Sequence, residues 1–225
     1  GFAEYAVAPE SALARKPSGL TFVQASALPQ AAAIAGQGTA RASSGTRVLI
    51  NGAGGGSGSL AIQLARRAGA HVTGVDNAGK LDLMLALGAH QVLDYRRDDF
   101  TQRGPYDLVL DLVASRPVLA LRRSLAPGGR YFCVGGSTGA LLRVLTVGTV
   151  VGALTGRRLS VLAVRQGPAA FEPVAALCVG GSIDVVIDRT YPLEETARAL
   201  AHVGAGRARG KVVVEPRRSS PVPGT

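Results

Sequence analysis

The segment from Val48 to Gly69, VLINGAGGGSGSLAIQLARRAG, constrains this chain more than any other stretch. An apolar run ends at Asn51, five of the seven residues 52–58 are glycine, and apolar residues at Leu60, Ile62, Leu64 and Ala65 follow at helical spacing. The pattern predicts a strand, a tight turn and a helix in immediate succession. Glycine gives such a turn its unusual φ values, and without a Cβ an anion can come close to the backbone. The first amides of the helix, at the positive end of its dipole, then hold that anion. Read as A-x-G-x-x-G, the fingerprint is Ala53, Gly55 and Gly58, with Gly56 and Ser57 offering amides. Asp76 ends the next apolar run, HVTGVD, 18 residues after Gly58. A carboxylate at that spacing belongs to a dinucleotide-binding βαβ unit. A purely structural turn is the alternative, and the strand before, the helix after and the acid beyond argue against it.

The rhythm continues on both sides of this unit. RVLIN, HVTGVD, QVLDY, YDLVLDLV, GRYFCVG and RLSVLAV read as strands, separated by helical stretches at Ser57 to Ala70, Lys80 to Leu87 and Pro117 to Leu125. Strands apolar along most of their length are buried on both faces, so helices must cover a parallel sheet. The expected fold is therefore α/β, a Rossmann-type doubly wound parallel sheet of six strands within residues 30–170. The flanks differ. Residues 1–29 hold a possible strand, FAEYAV, followed by Pro9, Pro17 and Pro29, and residues 171–215 hold a strand IDVVID, a helix from Leu193 to about Val203 and a strand GKVVVE. Both read as parts of a second domain entered before and after the sheet, with residues 216–225 a disordered tail.

Composition excludes several classes. With 225 residues and 47% hydrophobic content the chain can bury a core, which rules out disorder and collagen. The net charge of +10 is spread as single arginines or pairs such as Arg66-Arg67 and Arg122-Arg123, and all but three of the 25 basic residues are arginine. Without a basic block or a reader motif, nucleic acid is disfavoured as a partner. Cys133 and Cys178 lack metal or redox spacing, which suits a reduced, cytoplasmic protein. The longest uncharged apolar run, Val144 to Gly156, is short for a bilayer and carries three glycines, so no membrane insertion is expected. The chain opens at Gly1 with no methionine and no signal-peptide profile, so a preceding segment is expected.

The glycine segment through HVTGVD, the later LGAHQVLDYRRDDF, YDLVLDLV with LRRSLAPGGRYFCVGG, and the closing VVIDRTYPLEETARALAHVGAGRARGKVVV together resemble the medium-chain dehydrogenase/reductase superfamily, in its zinc-independent quinone oxidoreductase branch. The resemblance runs from GFAEYAVAPE to GKVVV and implies that a GroES-like substrate domain precedes GFAEY and is largely missing here, the flanks of the sheet being its remaining parts. In zinc-dependent relatives a ligand falls near Ala27 to Ala33; that stretch has none, and His71, His90 and His202 stand apart. For the cofactor the resemblance points two ways. Asp76 suits the ribose hydroxyls of NADH, whereas Lys80 and Tyr95 match positions that contact the 2′-phosphate of NADPH. NADPH is favoured and NADH stays open. Lys211 matches a basic position against the diphosphate, and Val134 and Gly135 lie where such sheets meet the nicotinamide. The implied activity is hydride transfer from NAD(P)H to a quinone or an α,β-unsaturated carbonyl, in an enzyme that is a homodimer when intact. No catalytic side chain is evident, and low activity is expected of this chain alone. Two other readings remain: a zinc-dependent alcohol dehydrogenase with ligands upstream of this chain, and a non-catalytic module binding a cofactor or nucleic acid.

Overall fold

A computed structural model describes residues 2–216. Six strands form one parallel sheet: β1 (Arg47–Asn51), β2 (His71–Asp76), β3 (Gln91–Asp94), β4 (Tyr106–Asp111), β5 (Leu125–Cys133) and β6 (Arg158–Val161). Their order is β3-β2-β1-β4-β5-β6, so the order in which successive strands are added reverses between β1 and β4. A crevice opens at the carboxyl ends of the strands at such a reversal.

Alternate residues of each central strand serve two separate cores, as the two-residue period of a strand requires. The first helices are α1 (Phe22–Ser26), α2 (Pro29–Thr39), α3 (Gly56–Arg67) and α4 (Leu81–Ala86), and Val48 and Ile50 of β1, with Leu108 and Leu110 of β4, face α2 and α3. Leu49 and Val109 face the other way, toward α5 (Val118–Ser124) and the helical stretch after β5. Alanines let α2 and α3 lie close over the first face, Ala31, Ala32 and Ala35 against Ala61 and Ala65. Arg66 and Arg67 sit in the last turn of α3, where the dipole favours cations.

Three expectations are corrected. FAEYAV forms no strand: residues 2–9 are irregular and exposed, and no strand among the described residues pairs with them. The strand read as IDVVID lies further on, as β7 (Ile187–Pro192), paired in parallel with β8 (Lys211–Glu215) beside α9 (Thr196–Gly204). The apolar run 144–156 is the second part of a longer helical stretch: α6 (Thr138–Arg143), a π-helical segment Val144–Gly148 and α7 (Thr149–Thr155). These 18 residues form a helix long and apolar enough, by length and composition alone, to cross a membrane, so exclusion on length does not hold. Ala140, Val144, Gly148 and Gly152, spaced four apart, are buried on the β6 side, and a Cβ on Gly152 would lie 2.7 Å from the Arg157 carbonyl.

The division at residue 170 marks no break in packing. Val174 and Ala175 of α8 (Glu172–Val179), and Ile183 beyond it, share the core of α2 and α3, as do Leu20 and Leu28 from before the sheet. The tail expected to be disordered lies, from residue 217 onward, outside the described residues.

Candidate functional site

The glycine turn between β1 and α3 is built from backbone. Gly52, at φ +84°, and Ala53 both donate their N–H to the Val75 carbonyl at the end of β2. Gly54 donates to Asp76 Oδ2 at 3.0 Å, and its own carbonyl accepts the N–H of Gly210 just before β8. Each glycine has its own reason. A Cβ on Gly58 would lie 2.3 Å from the Gly52 carbonyl oxygen, so α3 could not approach the turn. One on Gly54 would strike the Lys80 stem at 2.6 Å, and one on Gly56 the Lys211 stem at 2.1 Å. Gly55 is the exception: its φ of −87° suits any residue and its nearest neighbour would be 3.4 Å away. Among the described residues no contact and no backbone angle requires glycine there, and the space a side chain would take belongs to the groove.

That groove is a cavity of about 570 Å³ lined by Gly55, Gly56 and Ser57 on one side and by Asp76, Lys80 and Tyr95 on another. Gly56 and Ser57 begin α3, so their amides have no place in the intrahelical ladder. A second cavity of about 290 Å³ shares Gly55, Gly56, Ser57 and Lys80 and adds Lys211. Burial pushes the Lys211 ammonium below the ordinary lysine range. Two lysines therefore flank the first turn of α3 where an anion would lie.

At the far end of β2 the structure joins two residues that the sequence set in opposition. Lys80 Nζ lies 3.2 Å from Asp76 Oδ1, with both side chains nearly buried. Asp76 Oδ1 also accepts the backbone N–H of Asn77 at 2.9 Å and its side-chain amide at 3.1 Å. The carboxylate is thus paired with a cation and tied to the glycine turn, which weakens its repulsion of a second anion. Tyr95, half exposed, has the Arg96 guanidinium over its ring at 5.7 Å.

Ala53 and Gly58 sit beneath the turn and do not line either cavity. Val134 and Gly135 are not brought to the groove either. A Cβ on Gly135 would come within 2.2 Å of the Leu112 carbonyl oxygen, so that residue stands behind the wall that Leu112 makes. The wall itself, Leu112, Val113, Ser115 and Arg116 after β4, escaped the sequence reading, as did Asn51, Asn77, Phe100 and Gly206. The signal for it was the strand order, since the loop after β4 flanks the reversal. Among the described residues no group of three or more His, Cys, Asp or Glu could hold a metal ion. His71 stacks on His90 and His202 pairs with Asp188 at 2.6 Å, so each histidine already has a partner.

Comparison with known proteins agrees with this geometry. Residues 87–214 match the family model for zinc-binding dehydrogenases. The 2-methylene-furan-3-one reductase of Solanum lycopersicum is 32% identical over 221 residues, covering 95% of this chain and 52% of that protein. The chloroplast envelope quinone oxidoreductase homolog of Arabidopsis thaliana is 29% identical over 229 residues, covering 96% of this chain and 69% of that one. The solved quinone oxidoreductase of Coxiella burnetii superposes with a TM-score of 0.81 at 30% identity, over 91% of this chain and 64% of that one. The chain thus spans about half the length of the tomato relative and about two thirds of the other two. With a six-stranded sheet of the same kind, a glycine turn at its reversal and matches along nearly its whole length, the chain belongs to the zinc-binding dehydrogenase family, in the quinone oxidoreductase-like branch of the medium-chain dehydrogenase/reductase superfamily.

Proposed function

We propose that the groove over β1, β2 and β4 binds NADPH, and that the chain forms the cofactor-binding part of a reductase acting on a quinone or an α,β-unsaturated carbonyl without zinc. The observation that carries the reading is Gly55, a glycine that neither a neighbouring atom nor its backbone angle demands, facing a groove headed by helix amides. The dinucleotide supplies the hydride, and the protein supplies position and shielding from water. Gly56 and Ser57 amides with Lys211 hold the diphosphate; Lys80 and Tyr95 meet the 2′-phosphate; Val134 and Gly135 support the nicotinamide end from behind Leu112. Lys80 serves both the 2′-phosphate and Asp76, which favours NADPH because the carboxylate is already neutralised. NADH is the second reading, favoured by Asp76 lining the groove.

The acceptor class is supported by the names of the relatives, a quinone oxidoreductase and a 2-methylene-furan-3-one reductase. Those relatives extend beyond the matched region, so substrate contacts from outside these 225 residues belong to the reading. Self-association into a homodimer is part of it too, supported by the exposed Leu142, Leu145, Val150 and Leu154 beside the edge strand β6. The test is acceptor-dependent NADPH oxidation with a quinone and an enone, by this chain and by a form extended at its N-terminus. Turnover only in the extended form supports the proposal. No oxidation in either form, with either acceptor, contradicts it.

A further inference from the structure

Asp111, the last residue of β4, is completely buried and forms no salt bridge among the described residues. Its Oδ1 accepts the Asn51 side-chain amide at 2.8 Å, the Val113 N–H at 3.0 Å and the Ala114 N–H at 2.7 Å. Its Oδ2 accepts the Tyr131 hydroxyl at 2.9 Å. Burial first, and then the carboxylate's own charge, push the Tyr131 phenol well above its ordinary range, so it stays a donor. Four donors from β1, from β5 and from the loop after β4 therefore converge on one carboxylate. A buried charge is costly even when hydrogen-bonded. Here that cost is offset by what the carboxylate ties together: an apolar residue in its place would leave two backbone N–H groups, an amide and a phenol unpaired in the core.

What the carboxylate holds is strained. Ala114 has φ +51°, the one non-glycine residue at positive φ among those described, and Asp111 grips its N–H and that of its neighbour. A residue with a Cβ occupies that region only when its surroundings impose it. Asn51 on one side of the clamp, and Val113 and Ser115 on the other, line the groove, while Asp111 and Tyr131 do not. Asp76 and Tyr95 stand at the β2 and β3 end, where such folds hold the adenosine, so the other half of a dinucleotide extends over Asn51 and the loop after β4.

We propose that Asp111 is a positioning residue, a buried clamp that shapes the groove wall for the nicotinamide half of the dinucleotide while the adenosine half is held independently. The inference rests on the dinucleotide reading above. The test measures affinity for the whole dinucleotide against its adenosine half, NADPH against 2′,5′-ADP, or NADH against ADP if the wild type prefers NADH. Asp111→Ala should weaken the dinucleotide at least tenfold and leave the half-ligand within about twofold. Asp111→Asn should restore most of the loss, because its amide oxygen accepts three of the donors and its NH₂ donates to the Tyr131 hydroxyl. If Asp111→Ala does not fold, Tyr131→Phe, which keeps the ring and removes one donor, should show the same selective loss at about threefold. Equal loss of both ligands would mean a purely structural role, and unchanged dinucleotide affinity would mean no role, and either overturns the proposal. Wild-type protein that binds neither ligand overturns the dinucleotide reading itself, and the clamp with it.

Discussion

At the scale of single residues, the sequence put Asp76 and Lys80 on opposite sides of a choice between NADH and NADPH, and the structure makes them one ion pair. Lys80→Met keeps the stem that packs on Gly54 and removes only the ammonium. A charge-assisted hydrogen bond contributes about 1.5–3 kcal/mol, so NADPH should bind about tenfold or more weakly while NADH changes little, as titration of both would report. Equal losses would assign Lys80 to neutralising Asp76 alone. Lys211 gives a pH prediction. Its charged form favours the diphosphate, and burial lowers its pKa, so dinucleotide affinity should fall as pH rises through that lowered value, with proton uptake on binding. Lys211→Met should bind more weakly at every pH and lose that slope. A slope that survives the substitution belongs to another group.

At the scale of elements, the turn and α3 were legible because the glycines, the helical spacing and the acid at β2 are all local. Gly58 shows what such a signal encodes: with 2.3 Å between a Cβ and the Gly52 oxygen, alanine there pushes α3 off the turn. Gly58→Ala should cost about 1–3 kcal/mol by overpacking, read as a lower midpoint in denaturant; an unchanged midpoint would mean that the turn yields freely. Other elements were not legible, for physical reasons. FAEYAV reads as a strand locally, yet residues 2–7 pair with no strand among the described residues, because pairing depends on partners far away in the chain. The apolar run 144–156 carries three glycines that disfavour helix, but Gly148 and Gly152 lie on the side that packs against β6, so close approach outweighs their poor helix propensity. IDVVID and the true strand Ile187–Pro192 overlap by only two residues, because the β8 register, not the apolar run, selects which residues pair.

At the scale of the whole molecule, the strand order places the glycine turn, the β2 carboxylate and the loop after β4 around one crevice, although they are far apart in sequence. The first two were readable as a motif. The third became visible only when the sheet was assembled, and with it the Asp111 clamp and the true station of Gly135 behind Leu112. The central claim is that this crevice receives a dinucleotide through Gly55, and one measurement tests it most directly: calorimetric titration of NADPH into the wild type and into Gly55→Val. Position 55 has room for a side chain and an ordinary φ, so the variant should fold, with its melting temperature lowered only by a poorer N-cap for α3, and lose detectable binding, while the wild type binds one NADPH per chain. Wild-type affinity in a correctly folded Gly55→Val would contradict the account, because a ligand that tolerates a branched side chain there does not lie against this turn.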